Sequence, residues 1–399
     1  MRGIVRITVA TLFVLVWGTG GVAAQNYIGV IQADRGADGN RFVRAPLPLA
    51  RMNNDRIMID RNAEWVAGYV LDGRPEWIVR LDDGSFIRVR IEGERPISAP
   101  IAAPRTDGAL GDHDEHPTTL TLAWDFEARG WAPLPLGAYP AGYLDPSLPA
   151  PLPDGHIAAG RDQVVAYLSH PTGRYAHGVI GDAIEAGGLT ILSAAPPRTV
   201  EFGEAVAEER GVLLTDLGQN GSIEIVTVLA GARVGAWLAA FSVDGRLVAE
   251  GEAIGTGFRW RHLIGAGPLG PMGEELVAAV RTPHIGGTIE YHDENLEVVA
   301  RAPGYSSHGY GVRSLGDAWI VNVDGDERWE IVLPTQRRTR LEAVTLSPQG
   351  PQVLWSYELG APLSSNLAPA DPRTDRELSP GAGGGMLVGT RDGALHVWW

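Results

Sequence analysis

From about residue 60 onward, short apolar runs alternate with polar turns, and the side chains within each run alternate as well. Trp77–Ile91 holds I-V-R-L-D-D-G-S-F-I-R-V-R, two period-two runs around an Asp-Gly turn. Met386–Trp399 reads M-L-V-G-T-R-D-G-A-L-H-V-W-W, with the same turn at the same offset. Ile157–Leu168 is a weaker third copy. Period two with tight Gly-containing turns predicts strands joined as hairpins. Long apolar runs at helical period are hard to find, and Gly 52 and Pro 28 point to many turns, so the chain reads as all-β.

One unit recurs. The segments V-L-L-T-D-L-G-Q-N-G-S-I-E-I-V-T-V, H-L-I-G-A-G-P-L-G-P-M-G-E-E-L-V-A-A-V and A-W-I-V-N-V-D-G-D-E-R-W-E-I-V-L-P-T align on Glu224, Glu275 and Glu330, 51 and 55 residues apart. W-V-A-G-Y-V-L-D-G-R-P-E-W-I-V places Glu76 in the same register, and a further step reaches Gly385. Each unit continues into two more short strands, as in Thr288–His292, the turn Asp293–Asn295 and Leu296–Arg301. Four strands repeated at roughly 50 residues predict a β-propeller. A β-sandwich also has many short strands, but it does not keep one loop at a fixed spacing. Units fall at about 65–126, 211–252, 260–303, 316–360 and 363–399; residues 127–210 are read as two more, giving seven blades, with six as the alternative. The last unit stops at its third strand, so an early strand must complete it. Tyr27–Ile31 (Y-I-G-V-I) is the segment the apolar pattern selects to close the ring.

Met1–Ala24 reads as a secretory signal peptide, with Arg2 and Arg6 before the apolar Ile7–Val16 and small residues Val22 and Ala24 at the cleavage positions. Residues 25–399 then form a single propeller domain, periplasmic or secreted. No later run is long and apolar enough to span a bilayer. Loss of Arg2 and Arg6 takes the formal charge from −15 to −17, which argues against nucleic acid and anionic lipid as partners. The chain has no Cys, so an exported fold must rest on its core or on metal.

With these residues in view, the chain resembles bacterial VCBS/FG-GAP repeat proteins. Their D-x-D-G-D-G-x-x-[DE]-[IL]-V core appears as N-V-D-G-D-E-R-W-E-I-V and D-L-G-Q-N-G-S-I-E-I-V, most clearly over residues 205–360. The resemblance implies a Ca²⁺ loop at Asn322, Asp324, Asp326 and Glu330, all oxygen donors, with the Arg328 carbonyl as a fifth. Glu327 stands where the pattern has Gly. A weaker equivalent is Asp216, Gly218, Asn220 and Glu224, one ligand short. Gly267, Leu269, Pro271 and Glu275 cannot hold an ion. The competing reading of both acidic loops is Asx turns with no ion.

The acidic loops join first to second strands, on one face. Loops between second and third strands, and between blades, lie on the other. That face should carry His177, His284, His308, Arg261 and His262, with Arg259 nearby, a set suited to an anionic ligand. Asp112, His113, Asp114, Glu115 and His116 form a loop with transition-metal ligand types, read more simply as a solvated acidic turn. No G-x-S-x-G, H-E-x-x-H or phosphate loop is present. The sequence therefore predicts a monomeric, non-catalytic exported propeller that binds a protein or carbohydrate partner. The alternative is a propeller enzyme (a lyase, hydrolase or quinone-dependent dehydrogenase) using the His/Arg face.

Overall fold

The computed structural model describes residues 30–32, 42–102, 121–125, 130–133, 147–160, 164–180, 182–284, 286–326, 328–371 and 383–399. Met1–Ala24, Asp112–His116 and Glu327 lie outside these. The described residues are all-β, with no helix and six hydrogen-bonded sheets. Sheet I is an antiparallel meander of Ala63–Leu71, Arg74–Leu81, Phe86–Glu92 and Arg95–Ile101. Sheet II joins Val30–Gln32, Thr121–Asp125 and Gly130–Pro133. Sheet III has nine strands but divides into two meanders. Half IIIa runs from Ile157–Ala159 through Val165–Thr172 and Glu185–Leu192 to Arg198–Glu201, and half IIIb from Leu213–Thr215 through Glu224–Gly231 and Gly235–Ser242 to Leu247–Glu250. The two-residue strand Val206–Ala207 stitches the halves together.

Sheet IV comprises Arg261–Pro268, Glu275–Arg281, Thr288–His292 and Val298–Pro303. Sheet V comprises Trp319–Asn322, Glu330–Pro334, Arg340–Ser347 and Gly350–Glu358, with Phe42–Pro46 added in parallel along its first strand. Sheet VI takes Ala368–Ala370, Gly385–Thr390 and Ala394–Trp398 from the end of the chain, and its fourth strand is Asn54–Met58. An N-terminal strand thus completes the last sheet, but it is not Tyr27–Ile31. The described end of that segment, in Val30–Gln32, pairs with Thr121–Asp125 instead. The unit read at 65–126 likewise ends at Ile101, and Thr121–Asp125 belongs to the next sheet. Ile157–Leu168 is a hairpin of first and second strands, whereas the Asp83-Gly84 and Asp392-Gly393 turns both join second to third.

Local chemistry sets these turns. Asp72 and Gly73 both sit at positive φ (50° and 74°), the conformation a two-residue hairpin with right-twisted strands needs and that Asp-Gly supplies cheaply. Asp83 then accepts hydrogen bonds from the Ser85 amide and hydroxyl (3.0 and 2.6 Å), locking the next turn.

Neighbouring sheets share apolar cores, which is what sets them side by side. Leu168, Ile191, Ile225 and Phe241 join IIIa to IIIb. Val228, Leu238, Leu263 and Val277 join IIIb to IV, and Ile264, Tyr291, Ile320 and Ile331 join IV to V. Trp319, Leu341, Met386 and Trp398 join V to VI, with Leu47 and Leu49 inserted between them. Val66, Trp77, Leu387 and Val397 join VI to I, and Leu122 of sheet II packs on Trp65 and Tyr69 of sheet I. The first strands come closest: a Cβ on Gly68 would lie 2.6 Å from the Pro369 carbonyl oxygen, so only Gly fits there. Buried polar side chains tie the same seams. Trp77 Nε1 donates to Ala368 O (2.8 Å) and Trp319 Nε1 to Leu367 O (3.0 Å). Asn366 accepts from Val66 N (2.9 Å) and donates to Val66 O (2.8 Å). Meanders of four short strands packed side by side in this way form a propeller-like architecture.

Candidate binding site

The repeat glutamate is first of all a turn-builder. Glu330 Oε2 accepts from Val323 N and Glu224 Oε2 from Leu217 N, each at 2.9 Å and each seven residues back. Seven residues before Glu275 stands Pro268, which has no amide hydrogen, so Glu275 reaches sideways and accepts from Thr215 Oγ1 (2.5 Å) in half IIIb. Around Glu224 the acidic loop is knit to itself: Asp216 accepts from the amides of Asn220 (2.9 Å) and Gly221 (3.0 Å), and Asn220 from that of Ser222 (2.8 Å). Gly218 offers no side chain.

The Glu330 loop is different. Carboxylate oxygens of Asp324, Asp326 and Glu330 lie within 4.8 Å of one another, the only such cluster among the described residues. Glu330 is buried, and the one side-chain donor beside its carboxylate, the Thr345 hydroxyl, makes no well-formed hydrogen bond to its Oε1. Burial raises its pKa to about 7, and the two neighbouring aspartates push the same way. Asn322 turns its side chain to the loop, accepting from Gly325 N and donating to Asp326 O, both at 2.5 Å. Arg328 pairs with Asp326 (2.9 Å), so one of the three carboxylates already has a cation.

On the opposite face, segments that lead into or across four strand systems converge on Trp260. Trp260, just ahead of sheet IV, stacks on His262, the second residue of its first strand, with centroids 5.1 Å apart. His308, from the segment entering sheet V, meets Trp260 edge-on at 5.0 Å. His284, from the second-to-third-strand loop of sheet IV, lies 5.8 Å from Trp260 and 4.9 Å from His308. Trp260 Nε1 donates to the carbonyl of Glu208 (3.1 Å), just ahead of half IIIb, and the buried Glu208 carboxylate accepts from His177 Nδ1. His177, in the corresponding loop of half IIIa, stacks on Phe258 at 5.0 Å. Tyr310, 90% exposed, flanks His284 at 6.1 Å.

Arg261 does not join them. It is 1% exposed, and its Nε (3.0 Å) and Nη2 (2.9 Å) are both on Glu290 Oε2, with Nη1 donating to Glu252 O (3.0 Å). His262 is fully buried behind Trp260, its Nδ1 2.7 Å from Ser307 Oγ.

The character of the mouth also departs from expectation. Burial lowers the pKa of His284, and Arg338 and His177 add to it. Burial and the neighbouring His284 bring His308 down to about 3. Both imidazoles are therefore neutral at pH 7. Burial raises Glu208, which His177 partly offsets, and it raises Glu185 to about 9, aided by Glu208, Asp182 and Asp154. With both imidazoles neutral and Arg261 committed to Glu290, none of these three supplies the mouth with the positive charge that the sequence reading gave it.

The sequence missed Trp260, Glu208, Phe258 and Tyr310. A signal did exist: E-E-R at 208–210, W-R-H at 260–262 and S-S-H at 306–308 are polar interruptions lying ahead of, or at the start of, the first strands Leu213–Thr215, Arg261–Pro268 and Trp319–Asn322. No family model matches the chain, and no curated relative does. Solved structures with some likeness include BBS1N in complex with ARL6DN (10% identity, 90% of this chain and 97% of that one, TM-score 0.47). AofleA from Arthrobotrys oligospora matches at 11% identity over 79% and 96% of the two chains, TM-score 0.38. The WD40 domain of Toxoplasma gondii coronin matches at 8% over 90% and 88%, TM-score 0.34. With every TM-score below 0.5, none of the three bears on what this chain binds.

Proposed function

We propose that the protein is an exported, non-catalytic β-propeller that binds a protein or carbohydrate partner on the face where His177, His284, His308 and Glu208 surround Trp260. In this reading IIIa and IIIb are separate blades and the three-stranded sheet II is another, so that the ring has seven. The circle then closes where sheet II meets half IIIa, and Asn54–Met58 holds the last blade shut. The observation that carries the binding role is the convergence itself: the side chains of His284 and His308 and the carbonyl of Glu208, from three separate segments, meet on one buried tryptophan, with His177 on the Glu208 carboxylate and exposed Phe258 (49%) and Tyr310 at the rim. Exposed aromatics beside buried polar groups are the composition of a recognition surface.

A photo-crosslinking amino acid at Tyr310 tests it in the exporting cell, with one at Met272 (86% exposed, in the acidic-loop turn of sheet IV) as control. Discrete adducts are expected from position 310 and none from 272. Adducts from 272 alone, or from neither, would sink the assignment of the face.

A second reading concerns the acidic loop, where the propeller would resemble the VCBS/FG-GAP repeats. A Ca²⁺ held by Asp324, Asp326 and Glu330 would satisfy the Glu330 oxygen that lacks a well-formed hydrogen bond, a hard acceptor suited to a hard cation. The loop around Asp216, Asn220 and Glu224 is weaker in this respect. Because the folded-state pKa of Glu330 is raised, its contribution to stability without ion is lost as pH rises from the ordinary carboxylate range through about 7. An ion favours the carboxylate, so its benefit should grow over the same window. After EDTA treatment, saturating Ca²⁺ should raise the melting midpoint by about 3–5 °C at pH 8, less at pH 6, and not at all in Glu330→Gln. An unchanged midpoint at both pH values would remove calcium from the account.

A further inference from the structure

The first-to-second-strand loop of sheet IV is where the repeat breaks. Pro268 has no amide to offer Glu275, which turns aside to Thr215 Oγ1 (2.5 Å). Gly267, Leu269 and Pro271 stand where the loop of sheet V carries Asn322, Asp324 and Asp326. No side-chain oxygen at these positions can fold back across the loop, and a groove of about 580 Å³ lies over this end of the sheet, a volume typical of small-ligand sites.

Three neighbouring sheets wall it. Leu217 comes from half IIIb, Leu276 and Val299 from sheet IV, and Leu346 and Pro348 from sheet V. Gln219 Nε2 donates to Gly273 O (3.3 Å), which ties the IIIb loop to that of sheet IV. Glu294 Oε2 stands 3.6 Å from where a Cβ on Gly218 would lie, so the same IIIb loop borders the groove beside that carboxylate.

Four acidic side chains line these apolar walls: Glu274 and Glu275 from the first loop, Asp293 and Glu294 from the turn between the third and fourth strands. None of the described residues lining the groove is basic. Glu274 Oε2 accepts from Met272 N (2.8 Å), and Asp293 Oδ1 from the amides of Asn295 (3.0 Å) and Glu297 (2.9 Å). These backbone bonds orient the carboxylates without cancelling their charge. Glu294 is exposed and has no hydrogen-bond or ion-pair partner among the described residues.

We propose that this groove binds a linear aliphatic polyamine. Ammonium groups only donate and carboxylates only accept, so the two match without a leftover group. The methylenes between the ammoniums lie along apolar wall, as the stem of a lysine does on a protein surface. One ammonium would leave most of the four acidic groups unanswered, whereas two or three offset them. The formal charge of −15 draws cations to the whole surface, and the apolar walls select among them. A metal ion fits less well: among the described residues the only trio of His, Asp or Glu within 4.8 Å is Asp324, Asp326 and Glu330 in sheet V. An anion would face four carboxylates. The groove is on the face opposite Trp260, so this site stands apart from the binding role proposed there.

Equilibrium dialysis of the exported protein against radiolabelled spermidine, a linear triamine, tests the proposal. One molecule should bind per chain, more weakly as salt rises. N-acetyl-lysine amide, which keeps one ammonium on a butyl chain, should compete at least about tenfold less well. The uncharged 1,8-octanediol should not compete. Glu294→Gln, at an exposed position with no partner to lose, should weaken binding about threefold. Val299→Lys, which sets a rival ammonium on a wall position that is 53% exposed, should weaken it at least about tenfold. Glu330→Gln, in the acidic loop of sheet V, should leave it unchanged. Equal competition by the lysine amide would show a site for a single ammonium, as on a protein side chain, and overturn the polyamine. Several spermidines per chain, indifferent to Glu294→Gln and Val299→Lys, would reduce the effect to general attraction by surface charge. No retention at low salt would remove the site altogether.

Discussion

Replacing Arg261 by Met will cost the fold about 3–5 kcal/mol, read from urea unfolding, because it leaves a buried carboxylate without its main cation. Glu290 is completely buried, and both short contacts from Arg261 fall on its Oε2. Two neighbours remain to Glu290 and neither is a substitute. Arg301 reaches Oε1 at 3.2 Å from a half-exposed position, and His292, 3.8 Å from Oε2, is brought down to about 4 by burial and stays neutral. Removing both partners, as Arg261→Met with Glu290→Leu, should return most of the loss, since well-packed apolar groups replace buried ion pairs at little cost. A ligand-binding arginine would behave otherwise: its loss would leave the unfolding midpoint unchanged and weaken binding instead. Near-wild-type stability in the single variant would therefore return Arg261 to the binding face.

A chain beginning at Ile59 will fail to give a folded monomer, while one beginning at Gln25 will unfold like the parent. The first loses the Asn54–Met58 strand from sheet VI, the parallel Phe42–Pro46 strand from sheet V, and Leu47 and Leu49 from the core between them. Burying two leucines is worth about 3–6 kcal/mol, comparable to the whole stability of many domains. The loss also bares Ala394–Trp398, whose side chains are all buried, as an apolar edge open to pairing with other chains. The expected readout is aggregation in size-exclusion chromatography. A soluble, cooperatively melting product would show that the last sheet does not depend on the start of the chain.

How much of this could be read beforehand follows from what each feature shows to a one-dimensional pattern. The meanders were legible because their strands alternate and their turns use Asp-Gly, both local signals. The need for an early strand to finish the last sheet was legible from the count of strands after Gly385. Which strand it is was not. Asn54–Met58 reads N-D-R-I-M and turns only Ile57 inward, so apolar pattern favours Y-I-G-V-I, whose described end pairs elsewhere. Which loops share a face was legible from strand order, and so His177, His284 and His308 were placed together. Their hub was not, because Trp260 looks like any core aromatic, and the partner of Arg261 lies two strands away at Glu290. The charge state of the mouth was also hidden. Histidines in turns read as cations until burial makes them neutral.

The account depends most on the seam between the two ends of the chain, and a disulfide tests it directly. Asp55 and Val397 face each other across that seam, and the protein has no cysteine to interfere. Cysteines at both positions should oxidise spontaneously, since opposed residues in antiparallel strands have Cβ atoms about 4.5–5.5 Å apart and need only a small adjustment. The closed form should run faster on a non-reducing gel and resist urea better, by up to about 5 kcal/mol for so long a loop, with the gain lost on reduction. Cysteines that stay reduced, while a pair at Ile31 and Val397 oxidises in their place, would contradict it.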